Sequence, residues 1–197
     1  MFLRSARSVR LSIIISMLAL LSGCGVNTIP TLEEQARGAW SQVQNQYQRR
    51  AELIPNLVET VKGYAKQERE VLTQVIEARA KATQIQINAD QLTDPEAIKR
   101  FQEAQSQLSS ALGRLIAVSE NYPDLKSNQN FLALQSQLEG TENRISVARR
   151  DYIQAVQAYN TEVRTFPGLL WAKVYAAKPM ATFTVAEEQQ RPPAVKF

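Results

Sequence analysis

The chain has 197 residues, of which 44% are hydrophobic, and this is enough for one domain with a sizeable core. Histidine is absent and there is one cysteine. The sequence therefore excludes Ser-His and Cys-His nucleophile pairs, histidine-ligated metals and an intramolecular disulfide bond. The net charge of +4 comes mainly from three arginines in residues 1–23, which contain no acid. Because the remainder is nearly neutral, we predict that the protein does not bind nucleic acid.

Residues 1–23 have the organisation of a secretory signal peptide. A basic segment precedes an apolar run from Leu11 to Leu21, and small residues follow the run. A helix that spans a bilayer needs about 20 apolar residues, so this run is too short for a permanent anchor. We predict that the signal peptide is removed by cleavage before Cys24.

The segment Leu21-Ser22-Gly23-Cys24 resembles the bacterial lipobox. The resemblance implies that the Cys24 thiol receives diacylglycerol and that the new amino terminus is acylated by a fatty acid such as palmitate. The alternative is an ordinary buried cysteine behind an uncleaved anchor. Residues 24–30 would then form a tether of about 20 Å. Such a lipoprotein stays attached to the membrane of the bacterial cell envelope and faces away from the cytoplasm, on the periplasmic side if the source is Gram-negative.

Apolar residues at seven-residue spacing predict a first long helix from Thr31, its N-cap, to about Gln86. Pro55 lies inside this helix. Since proline cannot donate a hydrogen bond to the carbonyl of Ala51, we predict a kink at Pro55. The favoured interpretation is a kink that fits the helix to its neighbours. The alternative is a freed carbonyl and an irregular surface that a partner uses.

A second helix is predicted to begin at Thr93-Asp94-Pro95-Glu96, because proline suits a first turn and either Thr93 or Asp94 can cap it. The helix is expected to end at Tyr122, since the residue before a proline is pushed out of helical geometry. A tight connector then leads to the third helix.

The third helix, within residues 127–167, has the strongest pattern. Six apolar residues stand seven apart, namely Phe131, Leu138, Ile145, Tyr152, Tyr159 and Phe166. This period keeps the stripe aligned with a partner helix. We therefore predict an all-α fold, an antiparallel bundle of three to four long helices with coiled-coil-like packing. The bundle covers residues 31–166, and a loosely packed tail follows at 167–197.

Polar residues interrupt the inward-facing columns of these helices. Arg50 lies on such a column in the first helix, and Thr141 and Glu162 lie on inward columns of the third. Inward polar groups usually fix helix register and are paired. We interpret Arg50 as a member of an internal ion pair rather than as a contact to a ligand.

Four motifs resemble the LemA family of bacterial membrane proteins. They are RRAELIPNLVETVKGY at 49–64, ENYPDLK at 120–126, LEGTENRI at 138–145 and ARRDY at 148–152. The resemblance extends from about residue 30 to the C terminus. It implies an antiparallel bundle of long helices held at a membrane by its N terminus, and it implies no enzymatic activity, catalytic residue, metal or cofactor.

The leading functional hypothesis is a non-enzymatic interaction or scaffold module that presents surfaces to another, unidentified envelope protein. The candidate surface consists of five residues from two helices. These are Arg50 and Pro55 of the first helix and Arg144, Arg149 and Arg150 of the third. A kink and solvated charges are the ordinary explanations of these features.

The sequence leaves two alternative functions open. The first is a carrier of lipid or another apolar ligand, with aromatic residues lining a cavity between helices, namely Trp40, Tyr47, Tyr152 and Tyr159. Aromatic residues at heptad spacing are more often core. The second is an enzyme built on the carboxylates of Glu139 and Glu142, which share one helix face, although solvated charge is the ordinary explanation.

Overall fold

The computed structural model describes residues 25–183. Within that range every regular element is helical, which confirms the all-α prediction. The signal peptide at 1–23, the predicted lipidation site Cys24 and residues 184–197 lie outside the described residues. The helices, in chain order, are α1 (Thr28–Tyr64), α2 (Arg69–Gln84), a 3-10 helix (Ala89–Thr93), α3 (Pro95–Ser119), α4 (Pro123–Lys126), α5 (Gln129–Arg164) and α6 (Gly168–Val174).

The two longest helices, α1 and α5, pack against each other and run antiparallel. They contain 37 and 36 residues, which corresponds to about 55 Å each. In the first half of α1, the centre of the Trp40 ring lies 5.1 Å from the centre of the Tyr152 ring, which belongs to the second half of α5. At the opposite end, the Asn128 amide nitrogen donates to the Tyr64 hydroxyl at 2.9 Å. These contacts fix both the direction and the register of the pair.

The seven-residue stripe of α5 is buried as predicted along the length of the helix. Its members within α5 are each at most 7% exposed, namely Phe131, Leu138, Ile145, Tyr152 and Tyr159. Phe166 is 80% exposed, because α5 ends at Arg164. Burial of each large apolar side chain contributes roughly 1.5–3 kcal/mol, so this stripe is a principal source of stability.

The first helix is shorter than predicted, because the chain turns at residues 65–68 rather than continuing to Gln86. The segment Lys66–Glu70 is entirely polar, so it has no side chain to bury in a continued helix. After the turn, α2 folds back and packs against α3. Its apolar residues are thereby buried in one core with residues of α3, and these are Leu72, Val75, Ala78 and Ala82.

Pro55 lies within α1, and α-helical structure is present on both sides of it. The predicted kink stays a prediction. The carbonyl of Ala51, which proline deprives of its helical donor, accepts a hydrogen bond from Nε of Arg79 at 2.8 Å. The freed carbonyl is therefore occupied by α2 of the same chain, and use of the surface around Pro55 by a partner stays a prediction.

The helix starts are set by local capping groups. Asp94, one of the two predicted caps of α3, accepts from the Glu96 amide at 2.9 Å. The start of α1 differs from the prediction, because the helix begins at Thr28 and includes Pro30. Proline is tolerated in a first turn, where the backbone N–H groups have no helical partner. The expected tether at 24–30 is correspondingly shortened, and the bundle begins before residue 31.

The described part of the expected loose tail is packed against the bundle instead. Met180 and Phe183 are buried. Asn160 donates to the Met180 carbonyl and accepts from the Met180 amide, both at 2.8 Å. The Tyr152 hydroxyl donates to the Ala181 carbonyl at 2.8 Å. The structure thus corrects the expectation for residues 167–183, since side chains of α5 satisfy the backbone of this segment.

A double-mutant cycle tests the pairing of Arg79 with the proline defect. In Pro55→Ala the new backbone N–H can donate to the Ala51 carbonyl, so the Arg79 bond becomes redundant. We expect Arg79→Met to lower the free energy of unfolding by about 1–2 kcal/mol in the wild-type background and by clearly less beside Pro55→Ala. Chemical denaturation followed by circular dichroism measures both losses.

The control is Arg69→Met, which removes an exposed arginine from the same helix. Its effect should be small and identical in both backgrounds. If Arg79→Met costs the same with and without Pro55, the Arg79 bond does not compensate for the proline.

Candidate functional site

Arg50 is the centre of a polar cluster inside the bundle. The residue is 2% exposed, and its guanidinium donates to acceptors on two other helices. Nη1 donates to Oγ of Ser109 at 2.8 Å and to Oε2 of Glu142 at 2.9 Å. Nη2 donates to the side-chain and backbone oxygens of Gln105 at 2.8 and 3.2 Å. One arginine of α1 thereby joins α3 and α5.

The cluster extends from Arg50 to its neighbours. Nε2 of Gln105 donates to the Ala82 carbonyl at the end of α2 at 3.2 Å. The guanidinium carbon of Arg50 lies 5.0 Å from the centre of the Tyr47 ring, a distance at which a cation is attracted by the ring face. The interpretation of Arg50 as an internal ion-pair member is confirmed. Because it is buried, Arg50 does not lie on an exposed interaction surface.

Next to this cluster, aromatic side chains from three helices and the C-terminal segment form a contiguous core. Trp40 lies 5.3 Å from Phe101 and 5.8 Å from Phe183, measured between ring centres. Burial raises the pKa of Tyr152 well above its usual value. The hydroxyl therefore stays neutral and acts as a hydrogen-bond donor. These rings are packed against each other, so they fill space that an apolar ligand would need.

Four aromatic residues were predicted to line the cavity of a carrier. One of them, Tyr47, borders a cleft on the surface of the bundle. This cleft, of about 250 Å³, is open to solvent and lies beside the Arg50 cluster. Its wall includes polar side chains such as Gln44, Gln48 and Gln105. The other three aromatic residues are at most 2% exposed and belong to the hydrophobic core. The cleft has a mixed polar and apolar lining and is open to solvent, so it does not enclose an apolar cargo.

The two carboxylates considered for an enzyme have separate partners. Glu142 pairs with Arg50, whereas Glu139 accepts from Nε2 of Gln135 at 3.1 Å on the surface. Within residues 25–183 no group of three or more cysteine, aspartate or glutamate residues could hold a metal ion. Neither the pair of Glu139 and Glu142 nor a metal site therefore provides a reaction centre in the described part of the chain.

The three arginines proposed for an interaction surface do not share one environment. The guanidinium carbon of Arg149 lies 4.5 Å from the centre of the Phe183 ring, over the C-terminal segment. Arg144 borders a shallow cleft between α1 and α5. Arg150 is exposed, as is Pro55 on α1. The candidate surface at Pro55, Arg144, Arg149 and Arg150 stays a prediction, with Arg144 and Arg150 the most accessible of its charges.

The apolar surface at α6 was not among the functional features predicted from the sequence. Of nine large hydrophobic residues exposed in the described chain, five lie between residues 166 and 175, namely Phe166, Leu169, Leu170, Val174 and Tyr175. Its sequence signal was the apolar run Gly168-Leu169-Leu170-Trp171 just after the third helix.

Glycine allows α6 to turn closely onto the end of α5. A Cβ at Gly168 would lie 2.2 Å from the carbonyl oxygen of Glu162, closer than real side chains approach. The same end of the bundle carries the N-terminal end of the described chain, where Gly25 adopts a φ of 138° that favours glycine. Among the described residues, no helix combines the length and the apolarity that crossing a bilayer requires.

Comparison with known proteins relates the chain to one family. The model of the LemA family matches residues 39–197. Magnetosome protein MamQ 2 of Paramagnetospirillum magneticum is 28% identical over 157 residues, which are 72% of this chain and 58% of that protein. Protein LemA of Metamycoplasma hominis is 26% identical, over 74% of this chain and 61% of that protein. Magnetosome protein MamQ of Magnetospirillum gryphiswaldense is 26% identical, over 81% and 66% respectively. The chain thus spans less than two thirds of the length of each of these relatives.

Substitution of Arg50 tests whether its cluster joins the helices. Arg50→Met keeps most of the side-chain volume but leaves the Gln105 side-chain oxygen without its donor, and we expect a loss of about 2–3 kcal/mol in the free energy of unfolding. Glu142→Gln should cost about 1 kcal/mol or less, because the Glu142 side chain is 54% exposed and solvent screens its charge. Denaturant unfolding of the purified protein measures both changes.

The matched control is Arg150→Met, which removes an exposed arginine of α5. We expect its effect to lie within about 0.5 kcal/mol of zero. An Arg50→Met protein as stable as this control would contradict a structural role for the cluster.

Proposed function

The chain belongs to the LemA family, and from this premise we propose that it is a lipid-anchored, non-enzymatic helical module that presents its surface to another protein of the bacterial cell envelope. The observation that carries the proposal is the use of the buried polar groups. Arg50, the one buried charged residue of the described chain, donates hydrogen bonds to two other helices and so joins three helices. The bundle is therefore suited to holding a shape rather than to converting a substrate.

The membrane part of the proposal rests on Cys24 and on its distance from the fold. Helix α1 begins at Thr28, so Cys24 is four residues from the start of the bundle. More than one acyl chain provides stable attachment, because each buried methylene contributes about 0.8 kcal/mol. An anchor this close to the bundle would keep the start of α1 at the membrane surface.

The interaction part of the proposal rests on the shape of the bundle and on its accessible charges. Two helices of about 55 Å present a long lateral surface on which Arg144 and Arg150 are exposed. Charges on such a surface give a partner orientation and specificity rather than bulk affinity. The names of the relatives state no catalysed reaction, which is compatible with a binding role.

Photo-crosslinking in living cells, combined with analysis of the anchor, tests the proposal. A photoreactive amino acid is placed at Arg150 and at Asn56, which is next to Pro55, and at exposed Ser110 of α3 as the control. We expect a discrete protein adduct from Arg150 or Asn56 that is absent from Ser110. Adducts from none of the three positions would contradict a protein partner on this surface.

The anchor is tested in the same strain by labelling with fatty acid. The wild type should incorporate the label and Cys24→Ala should not, whereas Ser22→Ala should behave as the wild type, because alanine is also small. Fractionation alone is a poor readout, since an uncleaved precursor stays on the membrane through its leader. A wild-type protein without fatty acid would contradict the lipid anchor.

A further inference from the structure

The apolar surface at α6 lies on one side of that helix. At about 100° per residue, Leu169, Leu170, Lys173 and Val174 cover an arc of roughly 140°, and all four are exposed. The opposite side holds Gly168 and Ala172, which are buried, and Trp171, which packs against the core. Helix α6 is thus amphipathic, with its inner side held by the bundle and its outer apolar side left uncovered by the described chain.

The chain enters the bundle beside this helix. A Cβ at Gly25 would lie 3.6 Å from the Trp171 indole nitrogen. The Tyr175 hydroxyl donates to the Val26 carbonyl at 3.1 Å. Cys24 directly precedes Gly25, and adjacent Cα atoms are about 3.8 Å apart. The predicted site of acylation is therefore within one residue of a segment that α6 contacts.

The Glu162 carboxylate lies beside Gly168 at the start of α6, and the charged residues that follow it in the sequence of α6 and its C-terminal flank are basic. Between Glu162 and Glu187 the sequence contains no acidic residue, while it contains Arg164, Lys173 and Lys178. All three basic residues are exposed. Lys173 lies within the apolar arc, where a lysine can bury its methylene stem and keep its ammonium at the polar headgroups. An apolar surface with basic residues is the composition that binds the interface of a membrane containing anionic lipid.

We propose that the outer side of α6, together with Phe166 and Tyr175, inserts into the boundary between headgroups and acyl chains of the bilayer that holds the Cys24 lipid. This inference rests on the proposed lipid anchor. It adds a second attachment point, which fixes the orientation of the domain rather than its affinity for the membrane.

The orientation follows from the antiparallel packing. The start of α1 and the end of α5 lie at the membrane end of the bundle, together with α6. The turn at residues 65–68 and the start of α5 lie at the opposite end, about 55 Å away along the helices. With the α6 end inserted, the part of the α1 and α5 surface toward the opposite end lies outside the bilayer, where an envelope protein can reach it.

Site-directed spin labelling of the full-length lipoprotein tests this inference. Once Cys24 is acylated, an introduced cysteine is the one free thiol of the chain. Labels are placed at Leu170 and Val174 of α6. The matched controls are Leu132 and Val147, which are exposed hydrophobic residues of α5 with 47% and 46% exposure. The four labelled proteins are reconstituted into vesicles of phosphatidylethanolamine and phosphatidylglycerol.

Collisions of each nitroxide with oxygen, which concentrates in lipid, are compared with collisions with a water-soluble nickel chelate. We expect labels at Leu170 and Val174 to lose collisions with the chelate and keep those with oxygen. Labels at Leu132 and Val147 should show the opposite preference, because they lie away from the bilayer along α5.

The other outcomes overturn the inference in distinguishable ways. If the protein carries fatty acid but the α6 labels collide with the chelate as often as the controls, the anchor stands and the α6 contact is wrong. Loss of collisions with both reagents at α6 would assign the surface to contact with a second copy of the chain. Labelling of the protein without an introduced cysteine would reveal a free Cys24 thiol, and both the anchor and the α6 contact would fail together.

Discussion

The antiparallel packing of α1 against α5 is the constraint on which the rest of the structure depends. An isolated helix with one apolar stripe is marginal in water, so each of these two helices needs the other to bury its aromatic and aliphatic residues. Their register places Arg50 opposite Glu142 and brings Gly25 to the same end as α6. The ion pair between Arg50 and Glu142 and the position of Gly25 beside α6 are therefore both consequences of the packing of α1 against α5.

Two features of α1 that weaken an isolated helix become points of attachment in the bundle. Pro55 leaves the Ala51 carbonyl without its helical donor, and Arg79 of α2 supplies another. Arg50 brings a charge into the core, where an unpaired charge is costly, and acceptors on α3 and α5 take hydrogen bonds from its two terminal nitrogens. Both arrangements link helices that are distant in sequence, and both occupy groups that would otherwise be available to a ligand.

The fold was predictable where the signal was local or periodic. The buried stripe of α5 and the Asp94 cap of α3 follow from spacing and from residue type. The turn at 65–68 was missed because Lys66–Glu70 are favourable helix formers, and the reversal is decided by the burial of α2 against α3. The packing of the C-terminal segment was missed because it depends on hydrogen bonds from α5 side chains to its backbone, which leave no periodic pattern.

The candidate site was predictable to a similar extent. The inward position of Arg50 follows from its heptad column, and its role as an ion-pair member is confirmed. Its partners Gln105 and Glu142 are 55 and 92 residues away in sequence, and only the tertiary fold identifies them. The apolar surface of α6 was visible as a composition. The structure was needed to show that this surface lies beside Gly25, the residue that follows the predicted lipidation site.

The antiparallel register of α1 and α5 is tested most directly by thiol cross-linking of the acylated protein. Cysteines replace Tyr64 and Asn128, whose side chains are hydrogen-bonded, and a control protein pairs position 64 with Thr165 at the other end of α5. The structure predicts that a short bis-maleimide joins positions 64 and 128 within one chain and leaves 64 and 165 unjoined. Cross-linking of 64 to 165 instead, or of neither pair, would contradict the packing on which the membrane orientation and the internal pairing both depend.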